Sequence, residues 1–266
     1  VRILLTGSSG YLGHHLAAAL RARRIDFVTA ARSGGDLGLD LDDLDGLEAG
    51  IARVRIDGIL HAAASSSLAA CEADADGALR RNGEATGRLA ALAPLVFVST
   101  DLVFDGDAAP YRSSAEPRPR SAYGASKRLG EQRTLAAGGL VVRVPLLCGR
   151  SFDGRRGATD MLRAARAEGR RLELFVDEFR SPLHVADAAA ALVELACARE
   201  RGIVQLAGPE RVSRFELAER FAAVHGWAAA ERPWRPARAA DPRRPRDVTM
   251  VSDRAFRPLD AMLADS

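Results

Sequence analysis

Val1-Arg2-Ile3-Leu4-Leu5-Thr6-Gly7-Ser8-Ser9-Gly10-Tyr11-Leu12-Gly13 is the stretch of sequence that decides the fold. Residues 1–6 form a near-continuous apolar run, the pattern of a strand buried on both faces in a parallel sheet. Glycines with GxxGxxG spacing follow, and a helical pattern then runs from Tyr11 to Arg23. At a strand-to-helix junction glycines permit positive φ and let backbone N–H groups approach a pyrophosphate, while the new helix turns its positive end toward that charge. The stretch therefore reads as a dinucleotide-binding turn, with Gly7, Ser9, Gly10, Tyr11 and Leu12 against the cofactor.

Outward from this turn, a strand from Asp26 to Ala31 completes a βαβ opening. Apolar runs at 58–62, 95–99 and 140–145 alternate with helical stretches at 75–92 and 122–135. That alternation predicts an α/β fold with a doubly wound parallel sheet, the Rossmann arrangement. Beyond Gly149 the order is less regular: a helix at 159–167, a short strand at 172–175, a helix at 186–199, a strand at 203–206 and a helix at 214–225. The expected organisation is a Rossmann domain of residues 1–148 and 183–206, with a small α/β substrate-binding lobe of residues 149–182 and 207–266. A Pro/Arg-rich segment from Arg232 to Arg246 is the only compositionally biased one, and most of it reads as a solvated connection crossing the surface.

Composition narrows the function. A chain of 266 residues with 47% hydrophobic and 27% charged side chains has the balance of a globular protein with a substantial core. No apolar run approaches the ~20 residues that a bilayer needs, and residues 1–6 read as a core strand rather than a secretory leader, so a cytoplasmic enzyme without membrane association is expected. A net charge of +3 is too weak a field to suggest a nucleic-acid partner. Cys71, Cys148 and Cys197 lie far apart without CxxC or Cys/His spacing, and the histidines show no convergent spacing, so buried thiols and no metal are expected. One fact says more than these averages: of the 38 lysines and arginines, only Lys127 is a lysine.

Tyr123 precedes Lys127 by four residues at the start of a predicted helix, which places both side chains on one face. A phenol titrating near pH 10 is a poor acid or base at neutrality, and a neighbouring ammonium lowers its pKa. The pair is suited to moving a proton. With three tyrosines in the chain, the chance that one falls four before the sole lysine is on the order of 1%. The preceding strand ends in Ser99-Thr100-Asp101, at the rim where α/β sheets bind ligands, and a hydroxyl there can polarise a carbonyl. Thr100 is the preferred candidate. The place where an NAD-selective protein carries an acidic residue reads Ala30-Ala31-Arg32-Ser33. With no carboxylate present, Arg32 is assigned to a 2′-phosphate and NADPH is expected over NADH.

In this order the motifs resemble the extended short-chain dehydrogenases/reductases, in particular the dTDP-4-dehydrorhamnose reductases. The segments carrying the resemblance are TGSSGYLG at 6–13, HAAA at 61–64, STDLVFDG at 99–106, YGASK at 123–127, DEFRSP at 177–182, AGPERVSRFELA at 207–218 and RPRD at 244–247. The resemblance implies a catalytic triad of Thr100, Tyr123 and Lys127, with Lys127 also on the nicotinamide ribose. It also implies Asp40 and Leu41 beside the adenine, Ala62, Ala63 and Ala64 along the cofactor, Pro145 near the nicotinamide, and a supporting role for Asn82. Candidate substrate contacts are Asp101, Leu102, Arg180 and Arg246, the arginines as forks for a diphosphate.

The implied activity is NADPH-dependent reduction of a carbonyl, on a nucleotide-linked 4-keto-6-deoxy sugar, in a chain resembling homodimeric proteins. Leu102 stands where the family has an aromatic residue, which removes a sugar contact. Asp101 is not followed by a second acid, as a 4,6-dehydratase requires. Two alternatives are an epimerase that keeps its NAD bound and a non-catalytic NADP-binding partner like the β subunit of methionine adenosyltransferase.

Overall fold

The computed structural model describes every residue, Val1–Ser266. Seven strands form the central sheet: β1 (Arg2–Thr6), β2 (Asp26–Ala31), β3 (Leu37–Gly38), β4 (Gly58–His61), β5 (Leu95–Thr100), β6 (Leu140–Val144) and β7 (Gly202–Gln205). They run parallel in the order β7-β6-β5-β4-β1-β2-β3. The chain reverses its direction of winding between β1 and β4, where open α/β sheets leave a ligand crevice at the strands' carboxyl ends.

Strand alternation divides the core between the two faces of the sheet. Ile3, Leu5, Leu60, Val96 and Val98 pack with Leu16 and Leu20 of α1 (Tyr11–Ala22) and with residues further along, including Leu192. Leu4, Ile59 and Phe97 point the other way, toward Leu47 of α2 (Leu44–Ile51) and Leu89. Between β4 and β5 lie α3 (Leu68–Ala73), α4 (Ala75–Leu79) and α5 (Ala85–Leu92). The single helix expected over 75–92 is interrupted by a π-helical turn at Arg80–Glu84. Asn82 sits in that turn, fully buried: its Nδ2 donates to the Ser65 carbonyl and to Ser126 Oγ, both at 2.9 Å, and its Oδ1 accepts from the Ser65 N–H at 2.8 Å.

The remaining helices are α6 (Ala122–Ala136), α7 (Ala158–Glu168), α8 (Val185–Ala198), α9 (Arg214–Val224) and α10 (Leu259–Ala264). Ser121 caps α6 by accepting from the Gly124 N–H at 3.1 Å. Ser213 and Glu216 form a reciprocal capping box at the start of α9. Three two-stranded pairs supplement the main sheet: Leu147–Cys148 with Leu183–His184, Phe179–Arg180 with Val212–Ser213, and Leu172–Phe175 with Trp234–Ala237.

The last pair corrects the expectation of a solvated connection after Arg232. Trp234 Nε1 and Arg232 Nη1 both donate at 2.6 Å to the Glu219 carboxylate, which anchors the segment so that it lies as an edge strand. Pro236 is tolerated there because an edge position needs no donor on its open side. No helix is long and apolar enough to cross a membrane.

Candidate functional site

A crevice of about 1060 Å³ opens along the carboxyl ends of the strands. Gly7, Ser9, Gly10, Tyr11 and Leu12 line it from the glycine turn, and Arg32, Asp40 and Leu41 from the segment after β2. Ala62, Ala63, Ala64 and Pro145 follow β4 and β6 onto its wall, joined by Thr100, Asp101, Leu102, Tyr123, Lys127 and Arg180. Gly7 adopts φ +72°, and a Cβ there would lie 2.6 Å from the Ala63 nitrogen. The turn is thus pressed against the end of β4 and presents backbone rather than side chains to the crevice, the surface a pyrophosphate needs. Arg32 is exposed and makes no ion pair, whereas Asp36 is engaged by the Thr29 backbone N–H and hydroxyl at 2.8 Å each.

The Thr100 region is built by close approach. A Cβ on Gly124 would lie 2.3 Å from the Leu102 carbonyl, so only glycine lets the first turn of α6 rest on the chain just after β5. This brings Tyr123 beside Thr100. Ser99 and Thr100 then diverge, as neighbours on a strand must. Ser99 Oγ donates at 2.6 Å to Glu131 Oε1 behind the sheet, while Thr100 Oγ1 donates at 3.1 Å to Asp101 Oδ1 and accepts from the Leu102 N–H at 3.2 Å. Glu131 also accepts from Arg143 Nε and Nη2 at 2.9 and 2.8 Å, a buried charge pair one helical turn beyond Lys127.

Lys127 is 2% exposed, with Nζ 4.0 Å from the centroid of the Phe97 ring. Burial drives its pKa down to about 7, against the attraction of Glu131. The Tyr123 phenol moves opposite to the sequence expectation. Burial pushes its pKa well above the ordinary value, the Asp101 charge adds to this, and the Thr100 hydroxyl opposes it. The ammonium was expected to lower the phenol's pKa, but Lys127 turns to Phe97 and Glu131, and desolvation dominates. Asp101 is likewise raised, mainly by burial. Its Oδ2 is buried without a hydrogen-bond partner, and Arg180 Nε stands 3.6 Å away.

Beyond Asp101 the wall becomes cationic. Arg180 donates through Nη1 to the Phe179 carbonyl at 2.8 Å and lies 3.8 Å from Glu178. Arg244 grips Glu178 with Nε and Nη2 at 2.7 and 3.1 Å. Arg214, half-buried on the same wall, has neither a hydrogen bond nor an ion pair to its guanidinium. Burial and the two neighbouring arginines pull its pKa down to about 10, with Glu178 and Asp101 opposing.

Arg246, the other arginine expected at the substrate, is the one predicted site residue off this wall, because its guanidinium is paired with Asp177. Sequence reasoning missed Glu178, Arg214 and Arg244 here, and Arg81 and Arg156 nearer the cofactor turn. Among so many arginines none of these stood out.

Hydride transfer to a carbonyl, or back from the alcohol, calls for a dinucleotide turn beside an acid and a hydroxyl, and in this crevice they meet on a doubly wound sheet. That arrangement defines an extended short-chain dehydrogenase/reductase, an NAD(P)-dependent oxidoreductase. The family model described as the RmlD substrate binding domain matches residues 1–264, and the chain belongs to that family.

Among its relatives, dTDP-4-keto-6-deoxy-D-glucose reductase of Streptomyces niveus is 34% identical over 205 residues, covering 73% of this chain and 68% of that one. dTDP-4-dehydrorhamnose reductase of Mycobacterium tuberculosis is 35% identical over 231 residues, covering 80% and 72%. A solved structure described as a hypothetical dTDP-4-dehydrorhamnose reductase from Sulfolobus tokodaii superposes with a TM-score of 0.83 at 29% identity, covering 98% of each chain.

Proposed function

We propose that the protein reduces the keto group of a nucleotide-linked 4-keto-6-deoxy sugar, with NADPH favoured over NADH. The observation that carries this reading is a crevice holding a phenol and a hydroxyl on one part of its wall and three guanidiniums, one of them unpaired, on another. A neutral carbonyl on an anionic carrier is the substrate such a wall fits. The names of the Streptomyces and Mycobacterium relatives support the same class.

Gly7, Ser9, Gly10 and Ala62 to Ala64 line the place where a dinucleotide would be held, and its dihydronicotinamide would supply the hydride. Tyr123, kept protonated by its buried setting, donates the proton to the carbonyl oxygen, the direction that reduction requires. The Thr100 hydroxyl hydrogen-bonds the same oxygen. Lys127, on the next turn of α6 with its Nζ over Phe97, would have to swing from that ring toward the phenolate left behind in order to stabilise it. The unpartnered Oδ2 of Asp101 accepts from a sugar hydroxyl. Residues 1–148 and 183–206 form the cofactor half of this reading, and residues 149–182 and 207–266 the substrate half. Arg32 holds the 2′-phosphate on the rim of β2.

The test is loss of NADPH absorbance on addition of dTDP-4-keto-6-deoxyglucose, with turnover expected. Turnover of a small unactivated ketone but not of the nucleotide sugar removes the sugar reading and leaves the enzyme class in place. Arg32→Ala is expected to weaken NADPH and leave NADH binding unchanged.

A further inference from the structure

The segment from Arg150 to Gly157 leads into α7 and packs against the start of α1, beside a glycine turn from which it is far removed along the sequence. Three contacts fasten it there. The Tyr11 hydroxyl donates to the Gly149 carbonyl at 2.8 Å, His15 Nε2 donates to the Arg150 carbonyl at 2.9 Å, and the Phe152 ring stacks on His14 with centroids 5.0 Å apart.

Arg156 rests on this platform with its guanidinium carbon 4.9 Å from the Phe152 centroid. Nε donates to Asp153 Oδ2 and Nη1 to the Ser9 carbonyl, both at 2.9 Å. Ser9 lies inside the glycine turn, and Arg156 is on the crevice wall with its side chain 46% exposed. Other crevice arginines lie elsewhere: Arg81 is paired with Asp42 and Asp74, and Arg180 and Arg244 surround Glu178.

We propose that Arg156 is a ligand of the dinucleotide's pyrophosphate, supplied from the second half of the chain and held over the glycine turn by the Phe152 and His15 contacts. This rests on the NAD(P) reading of the crevice. Asp153 takes the Nε hydrogen and Ser9 one Nη1 hydrogen, which leaves the second Nη1 hydrogen and both Nη2 hydrogens for phosphate oxygens. A guanidinium is suited to that task because its charge persists on partial burial and its donors are fixed in a plane. The backbone N–H groups of the turn hold the pyrophosphate from one side, and Arg156 covers it from another.

Binding to the protein without substrate tests this, by calorimetric titration with NADPH, NADH and ADP-ribose, which share the pyrophosphate, and with 2′-AMP, which lacks it. Arg156→Gln is expected to weaken the first three by a common factor of about tenfold to a hundredfold, the loss of one charge-assisted contact, and to leave 2′-AMP unchanged. Arg156→Lys should recover part of the loss, and Phe152→Ala should reproduce a smaller version of it with Arg156 intact. Unchanged affinities in Arg156→Gln, or a loss confined to NADPH and 2′-AMP, overturn the assignment. If the wild-type protein binds none of the dinucleotides, the NAD(P) reading itself fails and takes this assignment with it.

Discussion

Two parts of the crevice wall hold positive charge in opposite ways. At Lys127 a single ammonium is buried over a phenyl ring, and the carboxylate that attracts it, Glu131, is already saturated by Ser99 and Arg143. Burial drives its pKa down to about 7 against that attraction. Around Glu178, by contrast, Arg180, Arg214 and Arg244 crowd together, and even the unpaired Arg214 stays near 10 and is fully charged at neutral pH. An ammonium yields its proton when it is desolvated and a guanidinium does not. On the proposed function, the chain keeps a titratable cation where a proton moves and fixed cations where an anion is to be held.

The strongest way to break this contrast is to put the fixed charge where the titratable one is. Lys127→Arg keeps the formal charge, yet kcat for the NADPH-dependent reduction is expected to fall at least a hundredfold, within the ~10²–10⁴ that a proton-transfer group contributes. Lys127→Met should lose a comparable amount, and circular dichroism would verify that both variants fold. Retention of more than a tenth of wild-type kcat by Lys127→Arg would show that charge alone suffices and that the distinction between the two walls is empty.

The converse change is made on the arginine wall. Arg214→Gln removes the one guanidinium that has no protein partner, so the loss should appear in substrate recognition with little structural cost. KM for the nucleotide-linked sugar is expected to rise about tenfold to a hundredfold, the worth of a charge-assisted hydrogen bond. Arg214→Lys should restore only part of the binding, since an ammonium desolvated in that place yields its proton where the guanidinium keeps its charge. A kcat defect with unchanged KM would move Arg214 from the recognition wall to the chemical one.

How legible these walls were in the sequence follows from the same contrast. The glycine turn and the placing of Tyr123 and Lys127 on the crevice were readable because local geometry dictates them: a strand-to-helix turn admits few residue types, and a four-residue spacing puts two side chains on one helix face, although it did not show that Lys127 would turn to Phe97. Choosing Thr100 over Ser99 could only be ranked, because it depends on Glu131, 32 residues further along, drawing Ser99 behind the sheet. The arginine wall was mostly illegible. Arg180, Arg214 and Arg244 converge through the pairing of Phe179–Arg180 with Val212–Ser213 and through Arg244 reaching Glu178, contacts that no local pattern encodes. Arg246, two residues from Arg244 in a motif that reads as equally basic, ends on Asp177 instead. The strand Trp234–Ala237 was hidden for a related reason, since Pro236 within it and Pro233 before it suggested a connection and only Glu219 and the edge of Leu172–Phe175 make it a strand.

The smallest effect concerns stability rather than turnover, and it isolates the proton at Lys127. The folded-state pKa is about 7, and the unfolded value is the ordinary 10.5. Between those pH values the unfolded chain holds a proton that the folded chain has released, so stability must rise with pH across the window and fall as pH drops back toward 7. The slope from one group is at most about 1.4 kcal/mol per pH unit. Urea unfolding of the protein without cofactor at pH 7, 8 and 9 should show this rise superimposed on whatever the other groups contribute. In Lys127→Met the component should vanish, whereas Arg214→Gln should keep it, because the Arg214 guanidinium stays charged through pH 7 to 9. Equal pH dependence in wild type and Lys127→Met would mean that the ammonium is not desolvated in the folded chain, and the two walls would then hold their cations in the same way.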